Sequence, residues 1–353
     1  MNKTTRLIFS AIFIFYTFFL AVLPASAQTV FKFVAWGDTK GDTQTLTNLS
    51  NQAKALNPVF TIYAGDLETA GFTAAGMNVW KNALNGGVNN GLFNITFPVR
   101  GNHDNAVAGA STAWQNYFNL AAQVQIIGGT NYSALNDDLT YSFDYGNSRI
   151  IGIDVPGNVT QMTAAQIAWL DQRLTDAESS GLTHAFFFWH GPFYYIANHV
   201  SPLPPASLIS VINKHPIVSA GFYGHEHSVA YTHINGSRIP GITQQFEQFV
   251  SGDAGAGPTT PSSARIDYWL DVGTGGGFLM VNVNGGQFTV DFYKGGTTAV
   301  QYSKTFIKSG TTPPPPVTPT RTPTPGGSTP TRTPTQSIVS PTPIIGVCTY
   351  YKN

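Results

Sequence analysis

Apolar residues gather in short runs separated by glycine and polar clusters, and the runs differ in period. Val30 to Trp36, Phe60 to Ala64, Ile95 to Val99, Ala185 to Trp189 and Ile217 to Tyr223 are rich in β-branched and aromatic residues and short enough to be buried strands. Helical spacing replaces them at Asp42 to Leu56 and Thr163 to Ser179. In the second stretch Ile167, Leu170 and Leu174 make one apolar stripe with Trp169 beside it, and Thr163 is placed to cap. From Tyr141 to Ile153 and from Tyr268 to Phe306 the text alternates, broken by glycine, with hairpin signals at Asn284-Gly285 and Lys294-Gly295-Gly296. Gly255 to Ser263 and Asp271 to Gly277 read as loops. Two strand-rich sheets flanked by helices imply an α/β chain folded as a four-layer αββα sandwich over residues 28–308.

The ends depart from this pattern. Lys3 and Arg6 precede an apolar stretch from Leu7 to Leu23, and Ala25-Ser26-Ala27 supplies a small-residue cleavage pattern, so residues 1–27 read as a signal peptide. The stretch is short for a membrane span, and no span is expected after cleavage. The expected location is outside the cell. Residues 309–343 are nearly all Thr, Pro, Ser and Gly, with Thr-Pro-Thr-Arg-Thr-Pro-Thr at Thr318 to Thr324 and again at Thr329 to Thr335. Such a segment cannot bury a core and reads as an extended linker. Residues 344–353 form a short tail.

Composition narrows the partners. The chain has 353 residues, 42% hydrophobic but only 10% charged, with 18 Lys and Arg against 18 Asp and Glu. Without Lys3 and Arg6 of the leader, sixteen cations would face eighteen acids, a balance of −2. Neither balance suits a nucleic-acid or anionic-membrane partner. A lone Cys348 allows no disulfide within the chain.

Four clusters carry the chemistry: Gly37-Asp38, Gly65-Asp66, Gly101-Asn102-His103-Asp104 and Gly224-His225-Glu226-His227, with His190 between the last two. Each follows the carboxyl end of a predicted strand, the edge at which open α/β sheets bind ligands. Carboxylates, an Asn carbonyl and imidazoles suit Mn, Fe or Zn, and no cysteine lies among them to build a zinc knuckle. Two cations about 3.5–4 Å apart can clamp an in-line displacement at phosphorus. Asp66 is the natural bridge between them. Singly, each cluster could be a turn or a helix cap; in combination they point to metal.

In these blocks and their order, over about residues 30 to 308, the chain resembles the calcineurin-like metallophosphoesterases, the family that includes the purple acid phosphatases. The resemblance implies a metal-dependent phosphoric ester hydrolase, acting on mono- or diesters by attack of a metal-bound hydroxide, and with the leader this makes a secreted enzyme the expectation. It further implies the αββα fold and a first metal on Asp38, Asp66 and His227. The second would be held by Asp66, Asn102, His190 and His225. His103 would protonate the leaving oxygen and Asp104 would orient it. The substrate would be a small-molecule, lipid or nucleotide phosphate ester. Two positions depart from the family. Lys40 stands where many members carry a histidine ligand, and Thr69 replaces the tyrosine of the purple enzymes, so no ferric tyrosinate colour is expected. Lys40 leaves several readings open: a weak first site, a charge offered to substrate phosphate, or a catalytically impaired binding or adhesion module. His199, nine residues after His190, resembles a substrate-facing histidine of the purple acid phosphatases. His184, His215 and His233 read as structural. The Gly273-Thr274-Gly275-Gly276-Gly277 run lacks the Lys-Ser/Thr ending of a P-loop.

Overall fold

The apolar runs form strands because their side chains are buried on both faces. The computed structural model describes residues 29–308 except 70, 89–90, 136–137, 198 and 200–201. The leader, the linker and the tail expected from the sequence lie outside the described residues. Fourteen strands are described: β1 Val30–Trp36, β2 Phe60–Tyr63, β3 Thr96–Pro98, β4 Thr130–Leu135, β5 Thr140–Tyr145, β6 Ser148–Gly152, β7 His184–Trp189, β8 Val218–Tyr223, β9 Val229–Ile234, β10 Phe246–Ser251, β11 Tyr268–Leu270, β12 Gly277–Asn284, β13 Gln287–Lys294 and β14 Tyr302–Ile307. Six α-helices accompany them: α1 Thr43–Ala55, α2 Ala74–Leu84, α3 Ala110–Tyr117, α4 Leu120–Ile127, α5 Ala164–Ser179 and α6 Ala206–Lys214.

The strands make two sheets, ordered β14-β13-β12-β1-β2-β3 and β11-β9-β10-β8-β7-β6-β5-β4. β1, β2 and β3 run parallel in the first; β6, β7, β8 and β10 run parallel in the second. Alternation assigns the faces. Phe33 of β1 meets Phe186 of β7 and Phe222 of β8 across the inter-sheet core, at ring separations of 5.6 and 5.8 Å. Trp36 and Tyr63 point the other way, where Trp80 of α2 packs edge-on to Tyr63 at 5.3 Å. On the far side of the second sheet, Phe187 and Trp189 share a core with Ile167, Leu170 and Leu174 of α5 and with Leu208 and Ile212 of α6. The layers are thus helix, sheet, sheet, helix, as the sequence implies. Every residue of β1 from Phe33 onward, and all of β7, is buried. That explains why both read as continuous apolar runs rather than alternating ones.

Local rules also hold. Asp42 caps α1 by accepting from the Thr45 amide at 3.0 Å. Thr163 and Gln166 form a reciprocal capping box at α5, with bonds of 2.9 and 3.2 Å. The expected strand Ile95 to Val99 is shorter: Phe93–Ile95 is a turn of 3-10 helix, held where the Thr96 hydroxyl donates to the Leu92 carbonyl at 2.7 Å. Asn284-Gly285 does mark a hairpin, since Asn284 pairs with Gln287 across a two-residue loop.

Candidate metal centre

Sequence reasoning placed the clusters on one sheet edge; the structure divides them between two. Asp38, Asp66 and the Asn102-His103 pair follow β1, β2 and β3 of the first sheet, whereas His190 and the His225-Glu226-His227 segment follow β7 and β8 of the second. The parallel strands of both sheets end on the same side, so six donors meet across the seam. Backbone bonds hold the loops together: the Asp38 amide donates to the Gly65 carbonyl at 2.9 Å and that of Gly224 to the His190 carbonyl at 2.9 Å. The approach is close enough that a Cβ on Gly101 would fall on the Asp66 carboxylate, and one on Gly224 on that of Asp38. Asp38, Lys40, Asp66 and His225 all take left-handed backbone angles, with φ of 59, 46, 54 and 68°. Such strain in residues with side chains is sustained where surrounding structure over-determines it, as at functional sites.

One donor set is tightly drawn. His190 is wholly buried and its Nδ1–H donates to the Ala64 carbonyl at 2.8 Å, which turns Nε2 toward the centre. Nε2 lies 3.0 Å from Asn102 Oδ1, 3.1 Å from His225 Nδ1 and 3.4 Å from Asp66 Oδ1, and Asn102 Oδ1 is 3.0 Å from His225 Nδ1. Around a cation with bonds of about 2.1 Å, neighbouring donors stand about 3.0–3.4 Å apart. The second set is looser. His227 Nε2 is 3.8 Å from Asp38 Oδ1, and the Lys40 ammonium stands 3.3 Å from His227 Nε2 and 3.9 Å from Asp66 Oδ2. Asp66 Oδ2 is buried without a hydrogen-bond partner. Atoms of Asp38, Asp66 and His190 all lie within 4.8 Å of one another.

The family model for calcineurin-like phosphoesterases matches residues 31–229, more than half of the chain. The chain belongs to that family. Among solved structures it is similar to a purple acid phosphatase from yellow lupin (Lupinus luteus) seeds at 15% identity and a TM-score of 0.60, over 80% of this chain and 54% of the lupin one. It thus spans about half the length of that protein. It is similar to a dimetal phosphatase from Danio rerio at 14% identity and a TM-score of 0.55, over 79% of this chain and 99% of the other. A third likeness, at 13% identity and a TM-score of 0.51 over 79% and 89%, is to an anchor in the inner membrane complex of Plasmodium. At these identities the likeness shows the fold. A search of the curated proteins finds no match.

The residues fit what a calcineurin-like phosphoesterase needs at one cation position. Burial opposes a charge on His190, but Asp66 and Asp38 outweigh it and raise the ring to about 9. Burial likewise opposes a charged Asp66, and the His190 charge overcomes it to hold that carboxyl below its ordinary range. For Asp38 burial outweighs the His190 charge, and the neighbouring Asp66 charge adds to it, so the carboxyl is pushed well up. Burial, then the charge of His190, brings His225 down to about 3; burial, then Lys40, brings His227 down to about 4. The pattern is one of acceptors converging on a single place for positive charge. A proton on His190 Nε2 serves one of them at a time, whereas a metal ion would serve all four.

Three supporting residues correct or extend the sequence reading. Asp104 was expected to orient His103, yet its buried carboxylate accepts instead from the amides of Leu67 at 3.0 Å, Glu68 at 3.1 Å and Gly101 at 2.8 Å. It ties the Asp66 loop to the Asn102 loop. The His103 ring is held by Thr69, whose carbonyl lies 2.6 Å from Nδ1. Glu226, between the two histidines, is fully buried and accepts from the amides of Ile196 and Ala197 at 2.5 and 2.8 Å. It fixes the segment after His190 to the His225 loop. Arg100, before the Gly-Asn-His-Asp block and itself buried, makes a two-bonded pair with the part-buried Asp154 at 2.8 and 2.5 Å and reaches Asn105 and Ser111. The signal for Arg100 and Asp154 was their place at the ends of buried strands in a chain so poor in charge. Of the histidines, His199 is exposed with its ring 4.3 Å from that of His225. His184 pairs with Ser219 and Gly285, His215 with Asp171 and Glu178, and His233 with Glu247, all away from the centre.

Proposed function

We propose that the protein is an exported, metal-dependent phosphoric ester hydrolase acting on small phosphate mono- or diesters. The observation that carries the reading is the gathering of Asp66, Asn102 and His225 donor atoms within 3.0–3.4 Å of His190 Nε2, with the His190 tautomer pinned from behind. When bound there, a divalent ion supplies Lewis acidity toward phosphoryl oxygen and lowers the pKa of coordinated water. The chain's own residues do the rest. Asp66 faces both donor sets and is suited to bridge them, with Asp38 and His227 as its partners on the other side. His103, its Nδ1–H donating to the Thr69 carbonyl, keeps Nε2 for the proton that its imidazolium form would give to the departing oxygen, a transfer that typically contributes about 10²–10⁴-fold. His199 and Lys40 border the centre as substrate contacts.

Export rests on the leader; no helix among the described residues is long and apolar enough to cross a membrane. A second reading, a non-catalytic binding module, draws on Lys40 and on the use of this fold by an anchor protein in Plasmodium. Hydrolysis of p-nitrophenyl phosphate and bis-p-nitrophenyl phosphate, after chelation and stepwise return of Mn, Zn, Fe and Mg, separates the two. The proposal expects metal-restored turnover that both Asn102→Ala and His103→Ala abolish, with His103→Ala retaining metal. A folded protein inactive with every metal would put the binding module first.

A further inference from the structure

We infer that the Lys40 ammonium stands in for one of the two cations, so that this chain's centre takes a single metal ion. The inference rests on the metal-dependent reading above and decides how many ions it involves. Asp66, Asn102 and His225 gather around His190, whose Nε2 stands 3.0–3.4 Å from a donor atom of each, and together they offer one position. What is left for a second is Asp38, His227 and the far oxygen of Asp66, and Lys40 reaches into that group. Its ammonium donates to His227 Nε2 at 3.3 Å, spending the lone pair a metal would need, and is the charged group facing Asp66 Oδ2 at 3.9 Å.

The placement is built into the loop rather than sampled by a free surface side chain. Lys40 holds a left-handed φ of 46°, its amide donates to the Asp66 carbonyl at 3.2 Å, and its side chain is only 22% exposed. An ammonium has three donors and no acceptor. A second cation beside it would gain no ligand and meet a like charge in a site largely shielded from water. The ammonium satisfies the same acceptors with its own N–H groups. It also leaves a fixed positive charge beside the complete metal position, where a phosphoryl oxygen could be held.

The test counts ions. The full chain is stripped with chelator, loaded with Mn(II), freed of excess by gel filtration and examined by elemental analysis and electron paramagnetic resonance. Lys40→His and Lys40→Met run beside it; His tolerates left-handed backbone better than most residues. The expected result is one Mn per parent chain with an uncoupled six-line spectrum, rising twofold in Lys40→His with an exchange-coupled signal. Lys40→Met, which removes the charge and adds no donor, should take its second ion only at higher Mn. Two ions in the parent would overturn the inference and leave the hydrolase reading intact. So would one ion in the parent and in both variants, because Lys40 would then not be what excludes the second. No ion in any form would overturn the metal-dependent reading itself.

Discussion

Asp104 decides between two accounts of how the Gly-Asn-His-Asp block works. Its carboxylate is fully buried and receives three backbone amides, from Leu67, Glu68 and Gly101. Asp104→Ala strands all three. Each costs about 1–3 kcal/mol, and allowing for their non-additivity the loss is about 3–6 kcal/mol. Against a typical total of about 5–15 kcal/mol, that variant risks not folding. Asp104→Asn is the sharper probe. One amide oxygen can still accept from Leu67 and Glu68, but its NH₂ would face the Gly101 N–H, so one charge-assisted bond is lost, worth about 1.5–3 kcal/mol. Urea unfolding followed by tryptophan fluorescence, with chelator present so that metal does not stabilise the folded state, measures the change. A Mn(II) titration measures the second consequence, weaker binding, because Asp66 and Asn102 sit on the two segments Asp104 joins. If Asp104→Asn left stability within about 0.5 kcal/mol and metal affinity unchanged while lowering turnover, the carboxylate would be acting on His103 directly and the structural account would be refuted.

Other substitutions test other links. Arg100→Met should cost about 3 kcal/mol by leaving the part-buried Asp154 unpaired, and Arg100→Met with Asp154→Leu should recover much of it; equal instability of single and double variants in urea would show that the stranded charge is not the cause. His184 is held down to about 4 by burial, helped by the Lys308 charge, against an ordinary 6.5. The folded state therefore binds this proton less readily than the unfolded chain. The resulting stability is fully present above pH 6.5 and is lost as pH falls through 4, a change of about 3 kcal/mol. His184→Phe, whose ring can stack on Phe186, should flatten that slope; unfolding midpoints at pH 7, 5.5 and 4.5 that fall equally in both proteins would exclude His184 as the source. His199→Ala should raise the Michaelis constant while bound metal stays the same, and metal loss in that variant would assign His199 a structural role.

Some of this was legible in the chain. Strands buried on both faces leave unbroken apolar runs, so β1, β2, β7 and β8 were marked within a residue by composition alone, and helical spacing announced α1 and α5, the latter with its Thr163 cap. The candidate ligands were legible for a related reason: each follows an apolar run, where a chain leaving a parallel strand reaches the edge at which such sheets bind ligands. The less regular pieces were not. α2, α3, α4 and α6 are short, and β4 and β10 carry polar residues, so neither a long stripe nor a clean alternation singles them out. Tertiary structure alone decided that the clusters come from two facing sheets, because no local pattern says which strands share hydrogen bonds. It alone showed Asp104 gripping backbone rather than His103, and Lys40 donating to the nitrogen a second metal would use. Sequence fixes which donors and charges are available; their function depends on distances of 3 to 4 Å between residues as far apart as Lys40 and His227, and those distances exist only once the sheets have packed.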